Sequence, residues 1–141
     1  MRHAISIVLV AVTVSAALLA AGCGGEVAPD LFEVLRGGQG AGAGVDLVVS
    51  DDGFVRCNHG PKRMITGDEL LSARALQSAL DSDARHHRRL AARPGGEFTY
   101  VLRMQDGTVS WADSSLGLRS PYQQAAELTH QLATTVCGLA A

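Results

Sequence analysis

The chain has 141 residues, with 12 Lys and Arg set against 14 Asp and Glu, for a formal net charge of −2. That balance offers no electrostatic case for nucleic-acid binding. The basic side chains are 11 Arg and one Lys in a chain rich in Ala and Gly, a bias of codon usage and not of chemistry.

Arg2 and His3 precede an apolar run from Ala4 to Ala21, and Leu19-Ala20-Ala21-Gly22-Cys23 follows with small residues before a cysteine. A basic start, an apolar core and a small-residue cleavage site mark an export signal. The junction resembles the lipobox of bacterial lipoproteins, with Ala20 where that pattern usually carries Leu. The resemblance implies that residues 1–22 are removed and that Cys23 takes the lipid. A plain secretory signal and a retained helix are the alternatives. The run is about 18 residues, the short end for a bilayer span, and no basic stop-transfer residues follow it. The expected location is the cell membrane, lipid-anchored and facing outside the cytoplasm.

The mature chain would hold 141 − 22 = 119 residues and, without Arg2, a charge of 11 − 14 = −3. That length suits one domain. Residues 23–30 are expected to form a lipidated tether and 31–141 a single domain. With Cys23 acylated, Cys57 and Cys137 remain as an even pair in an oxidising compartment, so they are expected to form a disulfide.

Leu31–Arg36 reads as a first strand. The stretch Gly37-Gly38-Gln39-Gly40-Ala41-Gly42-Ala43-Gly44 has little to pack and reads as a mobile loop. It lacks the Gly-Lys-Ser/Thr ending of a phosphate-cradling loop and leads into a strand. Val45–Ser50 and Phe54–Cys57 flank Asp51-Asp52-Gly53. A three-residue loop with Gly53 left-handed sets Val49 opposite Val55 and Leu47 opposite Cys57, making one face apolar.

Asn58–Met64 is polar and turn-rich. Thr66 and Glu69 then form a capping box, with Ile65 and Leu70 placed as a hydrophobic staple. Leu70, Ala73, Leu76, Leu80, Ala84 and His87 mark one helical face, fraying near Arg88–Leu90. Phe98–Gln105 and Thr108–Asp113 bracket Asp106-Gly107, a hairpin signal. A two-residue loop there pairs Met104 with Val109 and Leu102 with Trp111, and buries Trp111. Ser120-Pro121-Tyr122-Gln123 opens a last helix, with Ser120 as cap and Pro121 at the first position. Ala125, Leu128, Thr129, Leu132 and Val136 form its inner face, and Gly138 ends it. The expected fold is α+β: an antiparallel sheet of about 4–5 strands, two hairpins plus an N-terminal strand, with two amphipathic helices on one face.

The residues offer little catalytic chemistry. His59, His86, His87 and His130 lack the convergent spacing of a metal site, since His86 and His87 point about 100° apart on a helix. Ser114-Ser115 does not form a nucleophile elbow. Asp51 and Asp52 are explained by their turn, and Asp113 by a capped strand end. No enzyme activity, metal or cofactor is expected. One charge cluster stands out: Arg85, His86, Arg88, Arg89 and Arg93. It could face anionic lipid or a wall polymer, or simply complement a helix C-terminus.

Arg36-Gly37-Gly38, the Asp52-Gly53 turn, the capped helix, Phe98-Thr99-Tyr100, Asp106-Gly107-Thr108 and Asp113 occur in an order similar to that of emfourin. Emfourin is a small protein inhibitor of thermolysin-like metallopeptidases. The resemblance covers roughly residues 31–136, and small emfourin-like secreted lipoproteins of actinobacteria look closer still. The chain departs by its lipid anchor, its Cys57/Cys137 pair and a longer middle segment, and no inhibitory residue is carried over. An anchored small α+β domain with no catalytic constellation and a mobile Gly-rich loop reads as a membrane-tethered, non-enzymatic binding module. The resemblance implies peptidase inhibition as its most specific form, with an extracellular peptidase as partner. A structural or accessory role in the cell envelope, with an envelope protein as partner, is the alternative.

Overall fold

A computed structural model describes residues 30–140. Cys23, the signal segment and nearly all of the tether lie outside them. Six antiparallel strands form one sheet: β1 (Asp30–Gly38), β2 (Val45–Ser50), β3 (Phe54–Cys57), β4 (Lys62–Met64), β5 (Phe98–Met104) and β6 (Gly107–Ala112). Their spatial order is β4-β3-β2-β1-β5-β6, so β1 lies inside the sheet and joins a three-strand meander to a hairpin. Two helices, α1 (Gly67–Arg85) and α2 (Ser120–Gln131), bury their apolar stripes in the same core as one face of the sheet. The architecture is α+β, as expected, with one more strand than the upper count.

The additional strand is β4. All three of its residues are exposed, so it has no apolar alternation to betray it. It is reached through a tight turn in which Asn58 and His59 both have positive φ and the Gly60 amide donates to the Cys57 carbonyl.

The first hairpin has the expected register: Leu47 opposite Cys57, Val49 opposite Val55, and Gly53 at φ 84°. The second is shifted by two residues. Leu102 faces Val109, Tyr100 faces Trp111, and Gln105-Asp106 form the turn instead of Asp106-Gly107. A shift of two preserves the faces, because side chains alternate with period two, and Trp111 is buried as expected. The displacement has a steric cause. Gly107 lies against the end of α1, where a Cβ would collide with the backbone carbonyl of Ala84. Its glycine serves helix–strand approach, not a left-handed turn.

Helix α1 starts with the expected capping box. The Glu69 amide donates to Thr66 Oγ1 at 3.2 Å, and the Thr66 amide donates to Glu69 Oε2 at 2.8 Å. It ends at Arg85, and His87 leaves at φ 48°, exposed and not on the inner face. The following segment runs along β6: the Leu90 amide donates to the Ser110 carbonyl and the Ser110 amide to the Arg88 carbonyl, both at 3.0 Å. That pairing covers an edge otherwise open to another chain. In α2, Arg119 and not Ser120 is the N-cap, and no side chain caps the helix. The helix widens into a π-turn over Leu132–Val136. The wider turn changes its phase, so that Leu132, Ala133 and Cys137 are buried while Val136 is only partly so.

Candidate functional site

The inner face of β1 alternates Phe32, Val34, Arg36, and all three are buried. The arginine therefore occupies a core position by the same periodicity that buries the phenylalanine and the valine. It is 2% exposed, flanked by Val45 on β2 and Tyr100 on β5. Nε donates to the Gly42 carbonyl at 2.9 Å, and the guanidinium carbon lies 5.1 Å from the centre of the Phe98 ring. Nη2 is buried with no hydrogen-bond partner, and among the described residues no carboxylate lies within 4.0 Å of the guanidinium. Arginine cannot escape by losing its proton. A buried guanidinium with one backbone partner, one aromatic face and an open nitrogen recovers only part of its desolvation cost, so it adds little to stability.

The glycine-rich loop closes over this side chain. Gly40 touches Phe98 so closely that a Cβ there would approach the ring at 2.7 Å. The Gln39 amide donates to the Glu97 carbonyl at 3.0 Å and the Gly44 amide to the Arg36 carbonyl at 2.9 Å. Gly37 and Gly38, expected in the loop, instead end β1 and pair with Thr99 and Phe98, and no residue from Gln39 to Gly44 is buried. The cover is thus held by a few backbone bonds with almost no apolar burial, the profile of a segment that opens locally.

Tyr100 continues the same cross-strand row to Trp111, and the two rings stack at 5.0 Å with planes 9° apart. Trp111 Nε1 is a second buried donor without a partner. Burial pushes the Tyr100 hydroxyl above its usual pKa, assisted by Asp113 and opposed by Arg36. Asp113 accepts the Glu97 and Phe98 amides at 3.0 and 3.1 Å and so holds the start of β5 beside this row.

A contrasting cluster lies at the end of α1. Asp83 is 6% exposed but fully engaged. Its Oδ2 accepts the Tyr122 hydroxyl at 2.6 Å and the Arg119 guanidinium, and Arg88 Nε reaches Oδ1 at 2.9 Å. Burial works to raise the Asp83 pKa. The hydrogen bonds from Tyr122 and Arg119, with the charges of Arg119 and Arg88, outweigh it and hold the group below its usual value. Burial and the bond to Asp83 push Tyr122 up to about 12. Tyr122 also meets Trp111 edge-on at 5.3 Å, so Trp111 connects the two clusters.

The predicted residues fall as follows. Cys57 and Cys137 are bridged, with Cα atoms 6.0 Å apart. The basic cluster is divided. Arg85 pairs with Asp81 at 2.5 Å, Arg88 is committed to Asp83, and His86 Nδ1 lies 2.7 Å from the Ser82 carbonyl. Of the cluster's four arginines, Arg89 and Arg93 have no acidic partner within 4.0 Å among the described residues. Ser114 donates to the Arg93 carbonyl, and Ser115 accepts the Ala112 amide, so both hydroxyls are spent on the loop. Among the described residues no group of three or more His, Cys, Asp or Glu is placed to hold a metal, and no helix is long and apolar enough to cross a membrane.

Sequence reasoning missed Arg36 and Tyr122. Arg36 was legible in principle, because Phe32, Val34 and Arg36 share a period of two. Its charge at the expected strand end hides that. No family model, curated protein or solved structure matches the chain.

Proposed function

We propose that the chain is a lipoprotein held on the outer side of the cytoplasmic membrane through Cys23, where its domain acts as a non-enzymatic binding module. The observation that carries this reading is the Cys57–Cys137 disulfide. Bridges persist in oxidising compartments, and this one leaves Cys23 as the odd cysteine, directly after an apolar run with a small-residue junction. Two acyl chains on Cys23, at about 0.8 kcal/mol per buried methylene, anchor a domain without any basic patch. The bridge spans 80 residues of sequence separation. In the chain-entropy model it contributes roughly 4.5 kcal/mol and ties the C-terminal helix to β3.

Peptidase inhibition is the most specific form of the proposal, and it rests on the resemblance to emfourin. An accessory role in the envelope would draw on the arginine cluster. Two of its four arginines are committed to Asp81 and Asp83, which favours the first reading.

Replacing Cys23 with Ser should release the domain from membranes or trap the precursor. Unchanged retention with normal processing would end the lipoprotein proposal. Titrating a thermolysin-like metallopeptidase with the purified full chain tests inhibition separately: a stoichiometric loss of peptidase activity is expected, and full activity at excess chain would reject that form.

A further inference from the structure

We propose that Arg36 and Trp111 form the floor of a carboxylate-binding site which the Gln39–Gly44 loop closes. This goes beyond anchoring and peptidase inhibition, and neither has to hold for it to be correct. The first observation is the guanidinium itself: permanently charged, 2% exposed, with Nη2 unpartnered and no acid within 4.0 Å among the described residues. The second is independent. Trp111 Nε1 is also buried without a partner, and both residues lie on the inner face in one cross-strand row, on either side of Tyr100. Two orphan donors therefore share one stretch of the sheet. The third is the cover, a glycine- and alanine-rich loop with nothing buried from Gln39 to Gly44, resting on Phe98 and tied to Arg36 through the Gly42 carbonyl.

The class of ligand follows from this chemistry. An oxyanion reaching Nη2 would replace an absent partner with a charge-assisted hydrogen bond. Nε is already committed to Gly42, so Nη2 is the open guanidinium donor, and the indole Nε1 is the other open donor of the row, beyond Tyr100. That set matches a single carboxylate. A phosphate would call for more donors and a second cation, and the row neighbours of Arg36 are Val45, Tyr100 and Trp111. The surrounding Phe98, Tyr100 and Trp111 rings favour a carboxylate carried on an apolar or aromatic body.

The probe is the Trp111 indole N–H signal in 15N–1H spectra of the full chain in neutral detergent, since the sequence has one Trp. Benzoate stands for a free small acid, and N-acetylphenylalanine for the C-terminus of a peptide; whichever saturates the shift at lower concentration identifies the source. N-acetylphenylalaninamide, which lacks the charge, should bind at least about tenfold more weakly than N-acetylphenylalanine. Inorganic phosphate should leave the signal unmoved, and Arg36→Met should abolish the carboxylate response while the rest of the spectrum stays dispersed. Absence of a saturable shift with either acid at millimolar concentration overturns the proposal. So does an equal response to the amide, a response to phosphate alone, or an undiminished response in Arg36→Met.

Discussion

Asp83 and Arg36 are both charged and both almost wholly buried, yet the fold treats them in opposite ways. Every oxygen of Asp83 has a partner, drawn from two parts of the chain: Tyr122 in α2 with Arg119 at its N-cap, and Arg88 on the strand-like segment after α1. Arg36 has one backbone carbonyl, one aromatic face and an unpaired nitrogen. A buried charge that collects its partners from distant pieces of chain is a clasp. One left with an open valence under a thin cover adds little to stability and keeps its interaction capacity for something else.

The largest expected effect comes from the residue that joins the two regions. Trp111 stacks on Tyr100 and meets Tyr122 edge-on. Trp111→Ala should cost about 3–5 kcal/mol, as large aromatic truncations in cores do. Denaturant unfolding checks it, and a loss below about 1 kcal/mol would mean that the two clusters do not communicate through packing.

Asp83→Asn should cost about 3 kcal/mol, the lower end for breaking a buried pair, because the Arg119 and Arg88 side chains are half exposed and regain water. The pH dependence has a definite sign. The carboxyl of folded Asp83 lies below its ordinary value of 3.8, so its stabilising effect is complete above that value and fades as the pH falls through it. The stability gap between the wild type and Asp83→Asn should therefore be constant near neutrality and narrow below about pH 4. Unfolding midpoints measured across that range check this, and a gap that widens in acid would be the opposite of what the clasp requires. Tyr122→Phe removes one of the three partners and should cost about 1–2 kcal/mol, read from the same unfolding curves.

The sequence announced the capping box at Thr66, the three-residue loop at Asp51–Gly53 and the bridge between Cys57 and Cys137, because each is fixed by local chemistry or by counting. The register of β5 and β6 was not legible. It depends on Gly107 meeting Ala84 across more than twenty residues, a contact that no local pattern encodes. Strand β4 is short and wholly exposed, so neither composition nor period marks it. Asp83 and Tyr122 are separated by 39 positions, and their bond becomes visible only once α2 is docked. The candidate site was half legible: its loop and its aromatic strand stood out, while the arginine looked like the solvated end of a strand.

The most direct test of the contrast is equilibrium urea unfolding of Arg36→Met. Removing a buried, unpaired charge and filling its place with an apolar side chain of similar length should leave stability unchanged or raise it, by up to about 1–4 kcal/mol as in other replacements of buried ions. A loss of about 2 kcal/mol or more, comparable to that of Asp83→Asn, would show that Arg36 is as much a part of the clasped structure as Asp83, and would contradict the account.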